Sequence, residues 1–331
     1  MRCGVLGVLS GFGVIAVVIA VGWICARTNV LGSDGQLVLN RMVFFVATPA
    51  LLLDSLAQRD IRDVLSEIFL VSAGTAVIVA LIYIVLARGL LGRRGPILVM
   101  GAMSASYVNS ANLGIPIALY VLGDLAFVAP LMLFQVCLLQ PVIIAIMDRL
   151  MTSEAASARR DRAADAPSPG VTGRSGALAT LGQSARNPLI IAGLLGLVLA
   201  ALPWKLPERV LEPIHLIGQA SVPGALLVFG MSLYGVRVLE RGISPRTDVA
   251  LVTVLKMLVQ PLLAWGLGLT LGMEGHALFT VVVAACLPTA QNVLVVANRY
   301  GRGVLLARDS AVTTTVLALP VLIGVSAVLV G

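Results

Sequence analysis

SASYVNSANLGIPIALY, residues 104–120, and CLPTAQNVLVVANRYG, residues 286–301, are the two stretches on which the fold turns. Each places carboxamides, hydroxyls and a proline in the middle of a segment that is otherwise long and apolar. Proline removes a backbone donor and clashes with the preceding turn, and Gly114 adds backbone freedom, so both segments are expected to break. A broken helix survives at membrane depth only where it is buried in protein or lines a wet cavity. An unpaired amide in hydrocarbon is costly, so Asn109, Asn112, Gln291 and Asn292 point to such a cavity rather than to proline kinks used for packing alone.

The rest of the chain defines the solvent. Of its 331 residues, 59% are hydrophobic and 12% charged, and the mean hydropathy is +1.01. A soluble enzyme needs a more charged surface and a disordered chain needs less apolar content. The run VIAVVIAVGWICA, Val14 to Ala26, is apolar on every side and lacks the alternation of a membrane β-strand. A helical span needs about 20 mainly apolar residues. Ten segments meet or approach that: 4–26, 37–56, 67–88, 96–121, 124–147, 187–202, 213–236, 248–272, 276–298 and 304–330. The first is too long for the apolar core of a signal peptide and is read as a span.

Ten spans put both termini on one side. Arg2, Arg59, Arg62, Lys205 and Arg209 fall on that side, Lys256 falls inside a span, and the other 17 of the 23 basic residues fall on the opposite side. The basic side is therefore expected to be cytoplasmic and both termini outside. This bias accounts for the net charge of +7, so no nucleic-acid partner is expected despite the excess of base. Cys3, Cys25, Cys137 and Cys286 show no CxxC spacing and read as free thiols, with no metal and no cofactor.

Residues 149–186 are rich in Ala, Ser, Arg, Asp, Pro and Gly, lack an apolar face, and read as a flexible cytoplasmic linker. Cutting there leaves a first five-helix repeat, 1–148, and a second, 187–331. Five is odd, so the repeats must be inverted in the membrane. Landmarks recur: Thr48-Pro49-Ala50-Leu51-Leu52 in span two matches Val222-Pro223-Gly224-Ala225-Leu226-Leu227 in span seven. From Asn112 to Pro141 is 29 residues, and from Asn292 to Pro320 is 28. Breaks in matching positions of two such repeats mark a transporter site.

The runs NSANLGIPIALYVLGD (109–124), LPTAQNVLVVANRYG (287–301), LNRMVFFVATPALLLDSLA (39–57) and KMLVQPLLAW (256–265) resemble the auxin efflux carrier family in its bacterial form, which includes malonate and malate permeases. The resemblance covers nearly all of the chain outside the linker. It implies an all-α polytopic membrane protein of ten helices, similar to bile-acid-symporter folds. In such folds spans one, two, six and seven form a scaffold and a homodimer contact. Spans three to five and eight to ten form a mobile core in which helices four and nine cross at the substrate. Nothing in this chain marks an indole pocket.

Half-helix N-termini are expected near Ile115 and near Gln291, each carrying about half a positive charge and suited to anions, although half-helix C-termini of opposite sign lie close by. Lys256 tips the balance toward an organic anion, because ionisable groups inside a span are usually functional; the competing reading is a lysine that snorkels to the interface. Asp54, Glu67, Asp124, Asp148 and Asp309 all sit near span ends, so a sodium or proton site on a central carboxylate has little support. The candidate substrate-binding set is Asn109, Asn112, Gly114, Pro116, Lys256, Pro288, Thr289, Gln291 and Asn292. Gln135, Gln140, Thr313 and Thr314 are candidates for the cavity wall, whereas His215 and His276, at span ends, read as interfacial. The function expected is a secondary transporter for a mono- or dicarboxylate working by alternating access. An anion channel is the alternative, separated by saturation and counterflow. An intramembrane enzyme would need a nucleophile or metal cluster, and the chain has no HExxH, no GxSxG and two peripheral histidines.

Overall fold

The computed structural model describes residues 2–57, 67–123, 125, 127–162, 188–202, 207–235 and 238–329. Expectations that fall on Arg59, Arg62, Asp124, Lys205 and residues 163–186 lie outside these, as do the side chains of Cys3 and Cys137. The helices, in order, are α1 (Arg2–Thr28), α2 (Gly35–Ala57), α3 (Glu67–Leu90), α4 (Gly95–Ser106), α5 (Ser110–Leu122) and α6 (Pro130–Glu154). They continue as α7 (Pro188–Ala201), α8 (Glu208–Ser232), α9 (Arg246–Thr270), α10 (Gly275–Ala285), α11 (Gln291–Tyr300) and α12 (Val304–Leu329). Among the described residues α2, α3, α6, α8, α9 and α12 are long and apolar enough to cross a membrane, and no β-strand occurs. Large apolar side chains such as Val17, Leu70, Val85 and Val316 lie exposed on the helix surfaces. Water would penalise that surface and lipid does not, so the chain is a multi-pass membrane protein.

Helical backbone continues beyond α6 to Arg162, so residues 149–162 of the segment read as a linker are helical.

The helices sort into two packed groups. In one, α1 lies along the second half of α8, and α2 packs on α7 and on the first half of α8. Glycine makes this approach close: a Cβ on Gly22 would overlap the carbonyl of Leu227, and one on Gly230 would overlap that of Ile19. Lipid gives helices no hydrophobic drive to associate, and contact through small residues supplies the van der Waals packing instead. In the other group α3 packs on α4, α9 and α10, while α12 packs on α4 and α11.

Prolines in these helices are accommodated rather than breaking them. Widened π-helical turns at Val43–Ala47, Ser110–Gly114, Phe134–Leu139 and Leu255–Val259 each end two residues before a proline: Pro49, Pro116, Pro141 and Pro261. A proline ring clashes with the carbonyl four residues back, and a wider turn relieves that clash. Pro116 therefore sits inside continuous helix, and the first break falls upstream of it, after Ser106. This corrects the expectation that Pro116 and Gly114 mark the break and that the half-helix starts near Ile115.

At the arginine-rich end, Arg93 makes a bidentate pair with Asp248, Nε to Oδ1 at 2.9 Å and Nη2 to Oδ2 at 2.7 Å. That pair raises the Arg93 guanidinium above its ordinary value, and it explains how Asp248 tolerates full burial in the first turn of α9. Asp309, also buried, accepts from Arg308 Nε at 2.8 Å and from the backbone N–H of Leu239 at 3.2 Å.

Candidate functional site

The two breaks meet. Between α4 and α5 the backbone runs extended through Tyr107, and between α10 and α11 it runs from Leu287 to Ala290. Val108 and Thr289 face each other in an antiparallel bridge. Asn109 N–H donates to Pro288 O at 2.8 Å, and Ala290 N–H donates to Tyr107 O at 3.1 Å. Backbone groups freed by each break are thus satisfied by the other, which is what hydrocarbon demands of irregular backbone.

The bridging residues themselves need separate partners. Val108 N–H donates to Gln135 Oε1 at 2.9 Å, on α6, and Thr289 N–H donates to Thr314 Oγ1 at 3.1 Å, on α12. Gln135 Nε2 also donates to Ser110 Oγ at 3.2 Å. Each break is therefore held by a polar side chain from the helix that follows the crossing segment in its own half.

The last turn of α4 leaves carbonyls without helical donors. Thr289 Oγ1 donates to Ser104 O at 2.7 Å, and Lys256 Nζ donates to Ser106 O at 3.3 Å and to Gln260 Oε1 at 3.0 Å. Lys256 is fully buried. It does not snorkel; its Nζ sits at the C-terminal, negative end of the α4 dipole. Cys286 is a free, buried thiol, and Cys25 is free as well.

A cavity of about 280 Å³ opens between the crossing and α2. Asn40, Phe44 and Thr48 of α2 form one wall, and Tyr107 to Asn112 with Ala290 to Asn292 form the opposite one. Gln135 and Gln140 of α6 close the side. None of the described residues lining it carries a charge. The starts of α5 and α11 both open onto it, which turns two positive dipole ends toward one volume. Asn109 Oδ1 accepts from Asn112 N–H at 3.1 Å, while Asn109 Nδ2 is buried with no protein partner. Across the crossing, Asn112 Nδ2 donates to Gln291 Oε1 at 3.2 Å, and Tyr107 OH donates to Gln140 Oε1 at 3.1 Å.

Of the residues picked from sequence, Asn109, Asn112, Gln135, Gln140, Gln291 and Asn292 gather at this cavity. Gly114, Pro116, Lys256, Pro288, Thr289, Thr313 and Thr314 are not in its lining. Gly114 packs on Leu287, where an added Cβ would come within 3.1 Å of Cδ1, and its N–H donates to Asn109 O at 2.9 Å. Pro288, Thr289 and Thr314 build the bridge and its support, and Thr313 is half-buried beside Thr314. Sequence reasoning passed over Asn40, Phe44 and Thr48 as cavity residues. Their spacing of four residues, with two polar side chains on one face of an apolar helix, was the signal.

A family model described as "Membrane transport protein" matches residues 14–326. A protein of Rhizobium meliloti (strain 1021) with the name "Putative malonate transporter" is 27% identical over 323 residues, covering 96% of this chain and 93% of that protein. With buried, paired helix breaks facing a polar cavity inside a multi-pass helical protein, the chain belongs to the membrane transport protein family, that of the auxin efflux carriers, and is a transporter rather than an enzyme.

Proposed function

We propose that the chain is a secondary transporter for a small organic anion, a mono- or dicarboxylate of about malonate's size. The observation that carries this reading is the cavity itself, walled by carboxamides and two helix starts, where the lining residue Asn109 keeps a buried Nδ2 with no protein partner. Amide N–H groups and positive dipole ends recognise a carboxylate without an ion pair. An uncharged wall also keeps binding weak enough for release. The relative's printed name agrees with this cargo class.

In this reading ten spans form two inverted repeats, 1–148 and 187–331, with both termini outside and the connecting segment cytoplasmic. The matched support of Val108 by Gln135 and of Thr289 by Thr314 favours the repeat. The group of α1, α2, α7 and α8 serves as scaffold and homodimer contact, and the other helices move against it. Lys256 contributes from behind the crossing, through Ser106, rather than by touching cargo.

The test is uptake of labelled malonate and related carboxylates into proteoliposomes containing the purified protein. Saturable uptake accelerated by unlabelled carboxylate on the far side supports a carrier. Non-saturating flux without counterflow supports the channel alternative, and no carboxylate flux at all refutes the assignment.

A further inference from the structure

The field in the cavity is set by helix ends. α5 and α11 both begin in its wall, at Ser110 and at Gln291, and a helix start carries about half a positive charge. Two starts together supply about one. α4 ends beside the same cavity, but its last carbonyls are taken up, Ser104 O by Thr289 Oγ1 at 2.7 Å and Ser106 O by Lys256 Nζ at 3.3 Å. The first turns of α5 and α11 also bring the N–H groups of Ala111, Gln291 and Asn292, which have no helical acceptor. That donor set suits the two oxygens of a single carboxylate.

Among the described residues, nothing in the wall answers a second charge: the lining holds no Lys, Arg, His, Asp or Glu. α2 contributes Asn40, Phe44 and Thr48, while Arg41 is exposed and outside the lining. α6 contributes Gln135 and Gln140 as its polar groups. Tyr107 is the one titratable side chain among the described lining residues, and its OH donates to Gln140 Oε1 at 3.1 Å. Lys256 and Cys286 are buried outside the lining, and Asp54 and His215, 2.7 Å apart, line a second cavity of about 710 Å³ further along α2. A charge left without compensation at membrane depth is costly. A neutral carboxyl is not, because it offers a donor and acceptors that pair with carboxamides such as those of Asn40 and Asn292.

We infer that the site takes its cargo with one negative charge: a monocarboxylate, or a dicarboxylate whose second carboxyl keeps its proton. This rests on the organic-anion reading of the same cavity. The ionised carboxyl sits at the starts of α5 and α11, and the uncharged end lies toward Asn40 and Phe44 on the opposite wall. A dicarboxylate then carries its own proton across, and the protein needs no proton-binding side chain for it. The competent fraction of malonate falls about tenfold per pH unit above its second ionisation, and the apparent affinity falls with it.

The experiment compares malonate with malonamate, in which an amide replaces one carboxyl and the charge stays at one. Ligand-induced thermal stabilisation of the purified protein gives both affinities at pH values from about 5 to 8. Malonate should weaken about tenfold per pH unit above its second ionisation while malonamate holds constant, so that at pH 8 malonamate binds about tenfold or more tighter. Malonate affinity that stays level through the ionisation, or that exceeds malonamate's at pH 8, shows that the dianion binds; it overturns the inference and spares the cargo assignment. A decline of equal slope for both ligands assigns the titration to the protein and overturns the inference too. No stabilisation by either ligand at any pH, in protein that still melts cooperatively, refutes the carboxylate assignment and this inference with it.

Discussion

Replacing Thr314 by valine removes one hydroxyl from the crossing and almost no volume. Its Oγ1 accepts the N–H of Thr289 at 3.1 Å and donates to Ser310 O at 2.7 Å. The Ser310 carbonyl lies within α12 and keeps its helical donor. Thr289 is not so placed. It is fully buried, and its N–H takes no part in the two backbone bonds that close the bridge. The variant thus leaves a buried amide without an acceptor, at a cost of about 1–3 kcal/mol. Each kcal/mol lowers the melting temperature by roughly 2–4 °C in a chain of 150–250 residues, and by less in a longer one, so a drop of several degrees is expected. Cys286, buried beneath the crossing, supports a direct assay in which a thiol-reactive dye reports unfolding of the detergent-purified protein. Thr313→Val, one residue earlier and half-buried, serves as the control and should melt close to wild type. Transport should fall in Thr314→Val as well, since α11 would lose one fixing point at its start. Melting and transport both matching wild type would refute the claim that α12 holds the bridge.

Gln135→Met, the counterpart in the first half, orphans Val108 N–H and should match Thr314→Val in melting; an unchanged melting curve would count against the symmetric support. Asn112→Ala and Asn292→Ala should each weaken malonate binding about tenfold or more while the protein still accumulates, as measured by ligand-induced thermal stabilisation; wild-type affinity in both would place the cargo elsewhere. Lys256→Met leaves Ser106 O and Gln260 Oε1 unpaired, so stability and transport should fall together, whereas transport lost at wild-type melting temperature would assign the charge to the cargo. Lys256→Arg should fare no better, because a larger head group in a fully buried site costs about 1–3 kcal/mol in overpacking. Gly230→Ala sets a methyl against the carbonyl of Ile19 and should separate α1 from α8, read as reduced monodisperse yield in detergent; undiminished yield would mean that the pair relaxes freely.

Much of this protein follows from one-dimensional patterns, because lipid enforces them strictly. Apolar runs long enough to span, the arginine bias and the polar interruptions at residues 104–120 and 286–301 are local properties, and each has a direct physical meaning. The carboxamides Asn109, Asn112, Gln291 and Asn292 were legible for the same reason: amides are costly against lipid, and all four line the cavity instead. Where the chain breaks was not legible from Pro116, because a π turn two residues earlier absorbs the ring and shifts the break upstream. Tertiary structure alone decided the pairings. Val108 meets Thr289, Lys256 turns inward to Ser106, and His215 finds Asp54. Each joins residues 150 or more positions apart, with partners set by how helices cross in space rather than by any spacing along the chain.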